Sequence, residues 1–389
     1  MRQYKRAIAF VLILAAVIAI IPKNDNERKV EAAPAATPTP TVATSPSSTP
    51  AGTPVSTIYP ETGTIETAAP TMVPTAAPTA TVTPAMEVTP VPTPVITPAP
   101  ATEEIRGVWI AFYEYKKAGL KNKSEAVFRK NADKLFKKIK DNGCNAVFFH
   151  VRAFDDAIWP SENFKFSSYM GKKTPNYDPL AILVESAHKY GLKFHAWMNP
   201  YRITQKKIYD PAKKSTTSRI MLAVREVIDN YPVDGIHFDD YFYPGSGHKQ
   251  YKKYASLSNK QKKANVNKMV QTVYGNIKAQ NPKLLFGISP AGNVEYCESL
   301  GADVKTWMKG PGYVDYIVPQ IYWSNSYRVG KKTVRMFDNR FAKWKRLNKG
   351  NIPMYIGLAL YRGGMKDASD RGWRKSKKII ASQISKIRR

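Results

Sequence analysis

Between residues 103 and 389, short apolar, β-branched or aromatic runs alternate with longer amphipathic stretches. The runs RGVWIAF (106–112), NAVFFHV (145–151), LKFHAWM (192–198), VDGIHFD (233–239), LLFGIS (284–289), VDYIVPQIYW (314–323) and IPMYIGLAL (352–360) read as strands. The intervening stretches read as helices. In FRKNADKLFKKIKDNG (128–143), Phe128, Ala132, Leu135, Phe136 and Ile139 fall on one face at helical spacing. The same pattern recurs over 178–191, 217–230, 263–280 and 334–347, and the last segment, 375–389, is helical too. Gly143 and Gly191 stand where a helix must stop before the next strand.

A strand followed by a helix, repeated at this spacing, predicts parallel strands joined by helical crossovers. Seven such units in about 260 residues favour a (β/α)8 barrel of the TIM type over an open, doubly wound sheet. The first strand is followed by no Gly-rich phosphate fingerprint, which counts against a dinucleotide cofactor, and none is expected. Because the seventh unit is succeeded only by a helical pattern, the expected fold is an α/β barrel lacking or incompletely forming its eighth strand.

The first hundred residues have a different composition. Residues 1–6 are basic, and residues 7–21 form an uncharged apolar run followed by a charged flank to residue 31. That order fits a signal peptide or a signal anchor and predicts an extracellular protein associated with the cell wall or membrane. Residues 32–102 are dominated by Ala, Thr, Pro and Val; proline at this density removes backbone donors, so a disordered linker is expected. The formal net charge of +30 resides in 103–389, since residues 1–102 hold six basic and six acidic side chains. Outside the cytoplasm, such a basic surface suits an anionic cell-wall polymer or a membrane surface and disfavours nucleic acid as partner. Cys144 precedes the second strand while Cys297 follows the fifth, on opposite ends of a barrel, so no disulfide is expected.

In such a barrel the functional groups lie at the carboxyl ends of the strands. The sequence there is polar and aromatic: Arg152, Asp155, Asp156 and Trp159 after the second strand, and His195, Trp197, Asn199, Tyr201 and Arg202 at the third. His237, Asp239, Asp240, Tyr241 and Tyr243 come at the fourth, Ser289 and Asn293 at the fifth, Gln320, Tyr322 and Trp323 at the sixth, and Tyr361 and Arg362 at the seventh. Rings that stack on pyranose faces, amides and guanidiniums that bind hydroxyls, and carboxylates that handle a glycosidic bond together suit a polysaccharide. His195 and His237 serve equally well as hydrogen-bonded interior histidines; no third ligand at a recognisable spacing accompanies them, so no metal site is expected.

The motifs RGVWI, GCNAVFFHVR, DDAIWPS, KFHAWMNPYR, VDGIHFDDYFYP, ANVN, FGISPAG and DYIVPQIYW stand in the order seen in the glycosyl hydrolase-like 10 family of exported proteins, and the chain resembles that family over roughly 103–387. The resemblance implies a barrel glycosidase acting on wall glycan; the family includes an enzyme that cleaves peptidoglycan strands denuded of stem peptides. By motif position it implies Asp156, His195, Asn199, Arg202, Asp239, Asp240, Gln320 and Trp323 as site residues. A more distant similarity to chitinase-type barrels aligns Asp234, His237, Asp239 and Tyr241 with the D-x-x-D-x-D-x-E pattern. Tyr241 stands in the place of the acidic Glu, so the chitinase mechanism does not carry over.

Strand alternation separates the adjacent aspartates. His237, Asp239 and Tyr241 share one face of the fourth strand, and Ile236, Phe238 and Asp240 the other. With Ile236 and Phe238 on the helical layer, Asp239 is aimed at the barrel axis. The expected catalytic residues are therefore Asp239 together with Asp240 or Asp156. The expected substrate-binding residues are Arg152, His195, Trp197, Asn199, Tyr201, Arg202, His237, Tyr241, Tyr243, Gln320, Tyr322 and Trp323. A non-catalytic carbohydrate-binding wall protein on a degenerate barrel is the alternative function.

Overall fold

In the computed structural model the described residues are 104–239, 242–349, 351–375 and 378–389. The signal segment, the linker, Asp240 and Tyr241 lie outside them. Six strands form one parallel sheet in the order β1 (Gly107–Ile110), β2 (Ala146–Arg152), β3 (Lys193–Met198), β4 (Gly235–Asp239), β5 (Leu285–Ser289) and β6 (Tyr316–Ile317). Each strand pairs with its successor in sequence, which is how a barrel wall grows.

The crossover helices match the periodic stretches to within a few residues: α1 (Glu125–Asp141), α2 (Pro179–Lys189), α3 (Lys214–Asn230), α4 (Asn259–Gln280) and α5 (Met336–Asn348). On α1, Phe128, Ala132, Phe136 and Ile139 are buried against the sheet. Asp178 caps α2, accepting from the Leu180 and Ala181 backbones at 2.9 and 3.1 Å, with Pro179 in the first turn. Ser258 and Gln261 form a capping box on α4. Gly143 and Gly191 take φ of +81° and +62° and end α1 and α2.

The strand beginnings repeat one device. The Asn145 side chain accepts from Arg106 N at 2.8 Å, Asp234 from Phe194 N at 2.7 Å, and Asp315 from Phe286 N at 2.7 Å. In each case a side chain just before a strand ties down the neighbouring strand one position earlier in the order. Asp234, the first acid of the chitinase-like pattern, is thus a structural residue at the amino end of the sheet.

The run 352–360 does not form a strand. It follows β6 through single parallel bridges, Ile317 to Met354 and Gln320 to Gly357, because Pro319 and Pro353 interrupt the donors that a continuous ladder needs. Among the described residues no strand joins this run to β1, so the sheet is a curled, parallel half-barrel with an open seam. Near the seam, helix α6 (Ile379–Ile387) buries Gln383, whose amide donates to the Trp323 carbonyl at 2.9 Å. Arg388 pairs with Glu104 just ahead of β1 at 2.6 Å. Neither Cys144 nor Cys297 is in a disulfide among the described residues.

Two glycines make room inside the sheet. A Cβ on Gly287 would lie 2.1 Å from the Tyr316 ring, and one on Gly235 would lie 2.5 Å from His195 Nδ1. Gly287→Ala is expected to lower stability by about 1–3 kcal/mol or more through overpacking. Chemical denaturation of the variant against the parent measures this, and an unchanged midpoint would show that the Tyr316 ring can move aside.

Candidate active site

The interior face of the sheet is polar from its middle upward. On β4, Ile236 and Phe238 are buried against the helices, whereas His237 and Asp239 turn inward. The Tyr316 hydroxyl lies 2.9 Å from His195 Nδ1 and 3.1 Å from His237 Nδ1. The indole N–H of Trp109 donates to His237 Nε2 at 3.4 Å, and Ser289 Oγ is 3.0 Å from the same nitrogen.

These contacts assign the protons. An indole only donates, so His237 Nε2 accepts and its Nδ1 carries the hydrogen. That hydrogen goes to Tyr316, whose own O–H then points at His195 Nδ1. Both imidazoles are neutral. Burial drives His237 well below its usual pKa, and burial brings His195 down to about 4. His195 and His237 are therefore hydrogen-bonded interior histidines below the mouth of the sheet.

Directly above them, Asp239 ends β4 and is 7% exposed. Gln320, on the segment after β6, donates its amide to Asp239 Oδ1 at 2.7 Å and to the Ser289 carbonyl at 2.8 Å. Asp239 is thereby held at the carboxyl edge by groups from β5 and the segment after β6.

At the ends of β2 and β3 the buried Arg152 guanidinium donates to Asp155 at 2.8 Å and to the Asn199 carbonyl at 3.1 Å. Asp155 also receives Arg219 at 3.1 and 3.2 Å and the Tyr209 hydroxyl at 2.5 Å. The two adjacent acids then diverge. Burial pushes Asp155 up, but the hydrogen bonds of Arg219 and Tyr209 with the charge of Arg152 bring its pKa below the ordinary value. For Asp156, burial outweighs the Ser167 hydroxyl and the Phe154 N–H, so its pKa is raised. Asp155 is an anchor for the loops after β2 and β3, whereas Asp156 is partly exposed and its pKa is raised by burial.

Around these ends lies a set of buried polar atoms without a hydrogen-bond partner among the described residues: both ring nitrogens of His150, Trp197 Nε1, Asn199 Oδ1, the Tyr201 hydroxyl and Arg152 Nε. His150 stacks on Trp197 at 3.9 Å between ring centroids, and burial, with Arg202 nearby, drives its pKa well below the usual value. An unpaired buried polar group costs about 1–3 kcal/mol, so a cluster of them marks a place where polar partners from outside the chain belong.

The remaining candidates spread out. Tyr322 meets Tyr361 edge-on at 6.0 Å, both partly exposed on the loops beyond β6 and the 352–358 run. Trp323 leans on Arg340 at 5.9 Å, on the side of α5. Tyr243 is turned into the helical layer, where its hydroxyl accepts from Asn265 at 2.9 Å and its ring meets Tyr254 at 5.2 Å, so it belongs to no sugar platform. Asp240 and Tyr241 lie outside the described residues. His150 is the addition that sequence reasoning missed. Its signal was the alternation Phe148, His150, Arg152, which places it on the same inward face as His237. Among the described residues no group of three His, Cys, Asp or Glu side chains could hold a metal ion.

Two outcomes follow for this interior. Above about pH 6.5 the folded and unfolded chains both hold His195 neutral; as pH falls towards 4 only the unfolded chain gains the proton, so stability falls with pH. The loss from His195 alone is on the order of 3 kcal/mol, with His150 and His237 adding in the same direction. Urea unfolding between pH 7 and 4 reads it, and a flat profile would refute the neutral assignment. His150→Phe, which keeps the stack on Trp197 and removes two unpaired nitrogens, should leave the melting temperature unchanged or raise it; a large loss of stability would show that the imidazole has partners after all.

Residues 104–214 and 202–375 match the family model described as Glycosyl hydrolase-like 10. The glycosyl hydrolase YngK of Bacillus subtilis is 31% identical over 326 residues, covering 68% of this chain and 62% of YngK. The chain therefore spans less than two thirds of that relative. The glycosyl hydrolase DigH of Escherichia coli K12 is 30% identical over 346 residues, 70% of this chain and 77% of DigH. Among solved structures, a Paenibacillus cycloisomaltooligosaccharide glucanotransferase aligns with a TM-score of 0.44 and 12% identity over 68% of this chain and 39% of its own, too distant to carry any further argument. The extent of the family match, which takes in all six strands and the residues that surround Asp239, places this chain in the glycosyl hydrolase-like 10 family.

Proposed function

We propose that this chain is an exported glycoside hydrolase that cleaves cell-wall polysaccharide, with peptidoglycan glycan strands as its substrate. The observation that carries the reading is Asp239, an inward carboxylate at the end of β4, fixed by Gln320 and standing over a neutral, hydrogen-bonded interior. Membership of a glycosyl hydrolase-like family supports the reaction class. The basic and then apolar amino terminus supports export, and the excess of positive charge in 103–389 supports a polyanionic setting such as the wall.

Glycoside hydrolysis needs one carboxyl that holds a proton for the leaving oxygen and a second that is ionised, to act on the anomeric carbon or on a water beside it. Asp156 has the raised pKa required of the acid, for which burial is the cause. Asp239 takes the ionised role. The unpaired polar atoms of His150, Trp197 and Asn199 supply donors and an acceptor suited to sugar hydroxyls, and Tyr322 and Tyr361 supply ring faces.

Turnover of purified, denuded glycan strands is the deciding assay. Asp239→Asn should reduce it by about a thousandfold or more with circular dichroism and melting unchanged. Asp156→Asn should remove the alkaline limb of the pH–rate profile. Full activity in Asp239→Asn would move the chemistry elsewhere. A profile unaltered in Asp156→Asn would pass the acid role to Asp240. Glycan binding without turnover by the parent chain would instead establish the non-catalytic, carbohydrate-binding reading.

A further inference from the structure

The loops that follow β1 and β2 carry two adjoining grooves, one of 740 Å³ between Trp159 and Thr174 and one of 420 Å³ between Lys116 and Lys123. Their cationic lining consists of Lys165, Lys172 and Lys173 in the first and Lys116, Lys121 and Lys123 in the second. None of these six ammonium groups has a carboxylate in ion-pair range among the described residues, whereas Lys137, Lys189, Lys263 and Lys278 each meet one. Glu226, which is bonded to three residues of the first groove, is taken up by neutral donors: Trp159 Nε1 at 2.8 Å, Ser161 Oγ at 2.7 Å and Asn163 Nδ2 at 2.6 Å. Glu162 is the acid in the lining itself.

The two grooves are joined by Asn122. Its backbone N–H donates to the Met170 carbonyl at 3.0 Å and its side chain accepts from Lys172 N at 2.8 Å. Its φ of +53° is a conformation that asparagine tolerates better than most residues. The Tyr177 hydroxyl adds a bond to the Lys123 carbonyl at 2.9 Å. The loops are therefore cross-braced, and the six lysines are carried on a pre-ordered surface at the carboxyl ends of adjacent strands, the same end of the sheet as Asp239.

We propose that the two grooves form one binding strip for a linear anionic polysaccharide bearing phosphate or carboxylate groups at intervals. All six cations are lysines, which act as point charges and impose none of the planar, paired geometry of arginine, so the strip suits a repeating polyanion more than one defined headgroup. A strip on the candidate catalytic face holds the chain against its polymer while leaving Asp239 to the glycan being cut. The choice of a polysaccharide rests on the glycosidase reading above; the placement of the charge does not.

The test is equilibrium binding of the full chain to inorganic polyphosphate, to polygalacturonate and to vesicles containing anionic phospholipid, across a range of salt. Exchange of Lys116, Lys121, Lys123, Lys165, Lys172 and Lys173 for Gln should weaken binding to the polymers by about tenfold or more and flatten its salt dependence. A control with Lys130, Lys134, Lys268, Lys283, Lys331 and Lys332 exchanged, equal in charge, should change it much less. Tighter binding of polyphosphate assigns phosphate as the natural group, and tighter binding of polygalacturonate assigns carboxylate. Equal weakening in both variants, or binding confined to vesicles, would overturn the proposal. A chain that binds polymer through the strip yet cleaves no glycan would refute the hydrolase reading and leave this one standing.

Discussion

The hydroxyl of Tyr316 is shared between His195 and His237, and the interior of the sheet is arranged around that contact. Gly287 gives the Tyr316 ring its space, and Gly235 gives the His195 ring its own. Trp109, a pure donor, fixes the tautomer of His237 and through it the direction of every bond in the chain of contacts. Two histidines, a tyrosine and a tryptophan from four different strands are thus bound without a net charge. A charge in so enclosed a place would need a partner that the sheet does not offer.

That neutral layer is the floor of the mouth. Ser289 touches it through His237 and presents its carbonyl to Gln320, which in turn holds Asp239. The inward carboxylate is therefore connected, bond by bond, to the packing of the interior. At the neighbouring strand ends, opposite environments act on adjacent acids: Asp155 is drawn into ion pairs that bind the loops together and lower its pKa, and Asp156 is left partly exposed with its pKa raised by burial.

Much of this was legible along the chain. Hydrophobic periodicity located six strands and the five crossover helices, because period two and period 3.6 are local consequences of which residues meet the core. The alternation that turns Ile236 and Phe238 outward and Asp239 inward is local too. The run 352–360 was misleading: its composition is that of a strand, but the prolines at 319 and 353 leave only isolated bridges. Tyr243 looked like a sugar platform because it stands beside the aspartates, yet after β4 the chain leaves the regular alternation and the side chain enters the helical layer.

By itself, then, the amino-acid order determined the kind of fold, the parallel wall, the helix ends and the face on which Asp239 lies, since each depends on residues within a turn or a strand of one another. Only the tertiary structure decided that His195 and His237 are neutral supports, that Asp155 and Asp156 differ in acidity, that His150 joins the mouth and that, among the described residues, no strand joins the 352–360 run to β1. Those properties depend on burial and on hydrogen bonds between residues 40 to 130 positions apart, such as Trp109 with His237 and Gln320 with Asp239. Desolvation and directional bonding act through space, and a pattern read along the chain carries neither.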